Sequence, residues 1–137
     1  MNIKLPTALR SSRMALIKDA LDAGSGPGYI EFYTATQPAT GGAAITTQTK
    51  LGTCTLSDPS GTVTDAVLTF AAIADDVAAD ASGDIAWARL YDSAGTWVMD
   101  CDCGVAGSGA AFIFNTVAAI AGGLVEVPSG SMTEGNA

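Results

Sequence analysis

The chain contains no histidine. That removes the side chain that most often acts as a general base near neutral pH, the Ser/His and Cys/His nucleophile pairs, and the commonest metal ligand. Basic residues are scarce as well: six Lys and Arg stand against 14 Asp and Glu, for a formal net charge of −8. A nucleic-acid-binding surface needs a basic face to neutralise phosphates, so no nucleic-acid partner is expected. The 16 glycines are scattered, and none sits at GxxxxGK[ST] or GxGxxG spacing, so no phosphate cradle is expected either. The first 20 residues carry charges throughout and lack the apolar core of a secretory leader. Cys103 to Val125 is uncharged and long enough to span a bilayer. Its five glycines, with Ser108, Asn115 and Thr116, predict a buried strand, a loop and another strand instead, and no membrane partner.

What is present is a globular composition with 48% hydrophobic residues, enough for one domain with one core over residues 1–137. Pro6 to Ala23 reads as a helix, with Pro6 in a first-turn position and Gly24 as its stop. Leu9, Leu16, Ile17, Ala20 and Leu21 share its broad apolar side. Residues 1–18 hold Lys4, Arg10, Arg13 and Lys18 and no acid. The second half of the helix is expected to dock on a sheet, and the first half to run past it. Two readings of Arg10 and Arg13 follow: they snorkel at the edge of the apolar stripe, or they join Lys4 and Met14 in a contact with another subunit.

Residues 28–133 read as a mainly β domain, an antiparallel sandwich or flattened barrel of about seven or eight short strands. Strands are expected over Tyr29–Ala35, Lys50–Ser57, Asp65–Ala72, Ala111–Val117 and Gly123–Val127, with the tail adding a short edge strand. A central hairpin spans Gly83 to Cys103. In it Ile85, Trp87, Arg89 and Tyr91 alternate with Ala86, Ala88 and Leu90, and Trp97, Met99, Cys101 and Cys103 alternate with Thr96, Val98, Asp100 and Asp102. Asp92-Ser93-Ala94-Gly95 supplies its turn. Both tryptophans fall in this hairpin, which is expected to anchor the core.

Asp100-Cys101-Asp102-Cys103 resembles a metal cluster only in composition. On a strand the two sulfurs face one side and the two carboxylates the other, so they cannot converge on one ion, and no metal or other cofactor is expected. Asp75, Asp76, Asp80 and Asp84 lack calcium-loop spacing and read as a solvated loop. Cys101 and Cys103 stand about 6.5–7 Å apart along an extended strand, at the limit for a disulfide, so they should not bond each other. Free, largely buried thiols are expected at Cys54, Cys101 and Cys103. A bridge from Cys54 to one of the other two, or a bridge between chains, is the alternative.

Several segments taken together resemble the small structural proteins of tailed-bacteriophage virions. They are ALRSSRMALIKDALDAG, YIEFYTATQP, TLSDPSGTVTDAVLTFAAI and the Trp87–Gly95 pattern W-x-R-x-x-D-S-x-G. The resemblance covers most of the chain but departs at Cys101-Asp102-Cys103, where small residues such as glycine are the usual pattern. It implies a virion component without enzymatic activity, assembled in the host cytoplasm. Head decoration or cement is the first expectation, and a collar or tail accessory the second. Its implied partners are capsid, neck or tail subunits and copies of itself in a symmetric oligomer or array. A reading of another class is a carbohydrate- or host-surface-binding module, for which Tyr29, Tyr33, Tyr91 and Trp97 are the candidate aromatics.

Overall fold

The computed structural model describes residues 4–135. One helix, α1 (Thr7–Leu21), precedes ten strands: β1 (Tyr29–Tyr33), β2 (Lys50–Thr55), β3 (Gly61–Thr64), β4 (Val67–Phe70), β5 (Gly83–Asp84), β6 (Trp87–Tyr91), β7 (Trp97–Val105), β8 (Phe112–Phe114), β9 (Ala118–Ala119) and β10 (Ser129–Thr133). Eight of them form one curled sheet in the order β2-β1-β6-β7-β8-β10-β4-β3, a half-barrel with the helix laid against it. β5 and β9 form a separate two-stranded ladder. The chain is therefore mainly β with one N-terminal helix, as its turn spacing indicates.

The helix begins where Pro6 supplies an extended φ/ψ and ends before Gly24, whose φ of +103° stops it. Its buried residues are Met14 and Leu21. Leu9 and Leu16, expected on the docking face, are instead exposed, because the helix is also held by polar contacts on its other flank. Ser11 Oγ accepts the Ala66 N–H at 2.9 Å, and Arg10 Nη1 donates to the Glu134 carbonyl at 2.8 Å. These contacts pin the first half of the helix to the β3–β4 turn and the end of β10, so it does not run past the domain.

The core lies inside the curl. Ile30 and Phe32 of β1, Leu51 and Cys54 of β2, Leu68 and Phe70 of β4, Ala88 and Leu90 of β6, and Phe112 and Phe114 of β8 meet there. Phe32 packs edge-on against Phe114 at 5.3 Å between ring centroids, and Phe70 tilts against Phe112 at 5.0 Å. The core is thus aliphatic and phenylalanine-rich. The two tryptophans, expected to anchor it, lie on the opposite face of the sheet.

Several strand assignments change. Gly61–Thr64 is a strand, joined to β4 by a tight turn in which Asp65 (φ 51°) and Ala66 (φ 66°) are both left-handed. Asp-Ala lacks the glycine that usually marks such a turn; the contact to Ser11 and a 2.9 Å bond from the Glu134 amide to the Ala66 carbonyl hold it. β10 is no edge strand: it sits inside the sheet between β8 and β4. Residues 123–127 form no strand beyond a bridge of Val125 to Asp76. β7 and β8 are parallel, pairing Cys103 with Phe112 and Val105 with Phe114. The six-residue return succeeds because Gly107 and Gly109 adopt φ of +86° and +78°, and because Asp102 Oδ1 accepts the Ala111 amide at 2.9 Å.

Candidate interaction surfaces

The outer face of β1, β6 and β7 carries a layer of stacked aromatic rings around one buried ion pair. Antiparallel pairing sets Tyr29, Glu31 and Tyr33 beside Tyr91, Arg89 and Trp87. On the other side of β6 it sets Arg89 beside Asp100 and Trp87 beside Asp102. Tyr29 stacks on Tyr91 at 4.9 Å, Tyr33 stacks on Trp87 at 4.7 Å, and the Arg89 guanidinium lies 5.3 Å from the Trp87 ring centre.

Arg89 and Asp100 form a two-bond fork, Nε to Oδ1 at 2.6 Å and Nη2 to Oδ2 at 2.8 Å, with side chains only 5% and 1% exposed. Asp100 accepts two further bonds, from the Gly42 amide at 3.0 Å and from Trp97 Nε1 at 3.0 Å. Arg89 Nη1 donates to the Ala43 carbonyl at 2.9 Å. The glycine-bearing loop after β1 is therefore clamped over the sheet by one ion pair. Burial alone would raise the Asp100 pKa. The Arg89, Gly42 and Trp97 hydrogen bonds outweigh it and hold the carboxyl below its ordinary value.

Asp92 closes the hairpin turn as the sequence suggests: its Oδ1 accepts the amides of Ala94 at 2.9 Å and Thr96 at 2.7 Å, and Gly95 has φ +82°. A bulge then shifts the register between Leu90 and Tyr91, so that Tyr91 pairs with Trp97 but Leu90 with Met99. That extra residue carries Trp97 onto the outer face with Asp100, and leaves Met99, Cys101 and Cys103 facing inward. The simple alternation that groups Trp97 with the sulfurs fails at this bulge. Counting back from Tyr91–Trp97 without the bulge sets Arg89 opposite Met99, so the Arg89–Asp100 pair depends on the inserted residue and was not legible in the sequence.

Among the proposed subunit-contact residues, Lys4 is exposed, but Met14 is 2% exposed and belongs to the core. Arg10 and Arg13 have partners in their own chain. Arg13 Nη1 lies 2.8 Å from Glu134 Oε1, and Arg10 binds the Glu134 carbonyl. The helix end that has no acid near it in sequence meets one contributed by the far end of the chain. Lys18, one turn from the helix end, pairs with Asp22 at 2.7 Å, and Asp22 Oδ1 accepts the Ser60 amide at 2.7 Å.

All three cysteines are free thiols. Cys54 is buried and its Sγ lies 3.5 Å from the Val125 carbonyl; burial pushes its pKa up to about 11. Burial also raises the pKa of Cys101 and Cys103, which are half-buried. β1 and β6 separate Cys54 from β7, so the pairing of Cys54 with Cys101 or Cys103 lacks the strand adjacency it needs.

The acidic loop is only partly solvated. Asp76 Oδ2 accepts the Thr53 amide at 2.8 Å and caps the edge of β2, and Asp80 pairs with Lys50 at 3.0 Å. Asp75 and Asp84 are exposed. No group of three or more Cys, Asp or Glu among the described residues is placed to hold a metal ion. No helix among them is long and apolar enough to cross a membrane. Comparison with known protein families, curated proteins and solved structures finds no match for this chain.

Proposed function

We propose that this protein is a non-enzymatic structural component of a tailed-phage virion, one that sits on or cements the capsid. The observation that carries the reading is where the uncovered apolar side chains lie. Leu9 and Leu16 stand out from the helix, and Val77, Ile120 and Leu124 from two paired loops, on a body whose buried ion pair, Arg89 with Asp100, is spent on holding the sheet and its loop together. Such a body offers surfaces for contact in an assembly. The sequence resemblance carried by the Trp87–Gly95 hairpin supplies the kind of assembly.

The test is direct. Particles purified from the phage that encodes the chain should contain it in stoichiometric amounts, and cryo-electron microscopy should place it on the outer capsid. Density at the collar or tail would favour the accessory role. Its absence from purified particles would refute the reading.

A second reading, a carbohydrate- or host-surface-binding module, is favoured by Trp97, which is 43% exposed and shares a sheet face with the stacked Tyr29–Tyr91 pair. Tyr33 is buried and is withdrawn from that candidate set. Glycan-array binding that is lost in Trp97→Ala would support it.

A further inference from the structure

β7 sets two thiols on one face of one strand. Cys101 and Cys103 both pack against the main hydrophobic cluster, and both are free and only half-buried, so solvent reaches them. Cys101 is paired on β6 with Ala88, whose side chain is a single methyl group, and Cys103 is paired on β8 with Phe112.

The spacing suits a bridged pair better than a bonded one. Residues i and i+2 of a strand stand about 6.5–7 Å apart at their Cα atoms. A disulfide must close on an S–S bond of about 2 Å, and this spacing is at its limit. A bridging ion relaxes that demand. Two metal–sulfur bonds of about 2.3 Å in line set the sulfurs about 4.6 Å apart, a span that two thiols leaning toward each other along a strand can reach.

The donors decide which ion. Zinc takes four ligands, and the chain has no histidine to add. The flanking carboxylates lie on the other face and are engaged there, Asp100 with Arg89 and Asp102 with the Ala111 amide. Only soft donors lie on the inner face. Met99 precedes Cys101 by two residues, and the register of β7, β8 and β10 places Met132 level with Cys101 two strands away. Two thiolates among thioethers select a soft d10 ion that accepts two ligands, over the harder divalent cations.

We infer that Cys101 and Cys103 form a two-coordinate site for a soft monovalent ion, Cu(I), which bridges their sulfurs along β7. Burial raises the pKa of both thiols, so both are protonated in the free protein. Binding forms two S–Cu bonds, breaks two S–H bonds and releases two protons to solvent, and copper enters and stays as Cu(I). Cys54 lies beyond β6 and β1 and takes no part. The site is independent of the virion reading.

Titration of the reduced protein under argon with Cu(I), and separately with Ag(I) as a redox-inert probe, tests it. One ion should bind per chain, with a thiolate-to-metal charge-transfer band in the ultraviolet and two protons released. X-ray absorption of the Cu(I) form should show two sulfur neighbours at the metal. Competition with a Cu(I) chelator should give an affinity more than about 100-fold lower in Cys101→Ser and in Cys103→Ser, beyond what loss of a supporting residue around a metal costs. Cys54→Ser should bind as the natural protein does. Circular dichroism and Tm check that each variant folds; Cys101→Ala and Cys103→Ala serve where a serine variant does not.

Undiminished affinity in the Cys101 or the Cys103 variant, loss of binding in Cys54→Ser, nitrogen or oxygen at the metal, or one ion shared between two chains in sedimentation would each overturn the inference.

Discussion

Replacing Asp100 by Asn should destabilise the protein far more than an ordinary surface change. The substitution keeps the shape and removes the charge, and it turns two of the four acceptor sites into donors. Arg89, with a side chain 5% exposed, would then hold a positive charge with no counter-ion inside the sheet-and-loop layer. Breaking a buried pair from one side costs about 3–5 kcal/mol. That is a fifth or more of the total for a marginally stable domain of about 5–15 kcal/mol. In a domain of this size it corresponds to a fall in Tm of roughly 10–20 °C. The double variant Arg89→Met/Asp100→Leu removes both charges and leaves the Gly42 amide, Trp97 Nε1 and the Ala43 carbonyl to find water, so it should lose about 1–2 kcal/mol. Denaturant unfolding of the natural protein, Arg89→Met, Asp100→Leu and the double variant completes a double-mutant cycle and measures the coupling. Hydrogen exchange adds a local readout: the Gly42 amide should lose protection in Asp100→Asn ahead of the core strands. A loss below about 1 kcal/mol for Asp100→Asn, or a double variant as unstable as the sum of the singles, would refute the clamp. The same carboxyl sets a pH dependence. Its folded pKa is depressed, so its contribution is fully present above the unfolded Asp value of about 4 and is lost as pH falls below that value towards the folded one.

Other positions give sharper local tests. A Cβ on Gly28 would strike the Tyr91 carbonyl oxygen and lie 2.8 Å from that of Leu21, both backbone atoms, so Gly28→Ala should cost roughly 3 kcal/mol by chemical denaturation. Ala35 is exposed at φ 61°, so Ala35→Gly should stabilise by about 0.5–1 kcal/mol through relief of the left-handed strain. Ser11→Ala removes the acceptor of the Ala66 amide and should cost about 1 kcal/mol, seen as a lower urea midpoint with an unchanged slope. Cys54 should resist thiol reagents at pH 8 until denaturant is added, because its thiol is buried and its pKa is about 11. Fast labelling of the native protein there would contradict its placement under Val125.

The local rules were legible in the sequence wherever structure depends on neighbours along the chain. Pro6 and Gly24 bound the helix, Asp92 to Gly95 close the hairpin, and the period of two marks β1, β6 and the part of β7 from Met99 onward. The alternation of Asp100, Cys101, Asp102 and Cys103 excludes a four-ligand site for the same reason: side-chain direction on a strand follows from covalent geometry. The opposed pair Arg89 and Asp100 does not belong here, since the bulge and not the turn sets its register. The absence of histidine and the excess of acids narrowed the chemistry before any fold was considered.

Tertiary structure decided what depends on residues far apart in the chain. Glu134 reaches Arg10 and Arg13 only because β10 ends beside the helix, and that contact also turns Leu9 and Leu16 outward. Asp65 and Ala66 adopt a left-handed turn that their own propensities disfavour, because Ser11 and Glu134 bind its backbone. A single bulge moved Trp97 to the other face of its strand, and period-two reading has no means of detecting an inserted residue. The parallel pairing of β7 with β8 and the insertion of β10 between β8 and β4 are likewise matters of sheet order. Alternation reports which side of a strand is buried. It carries no information about which strand lies alongside, because every strand edge presents the same N–H and C=O groups, and the choice among them rests on side chains that meet only in the folded chain.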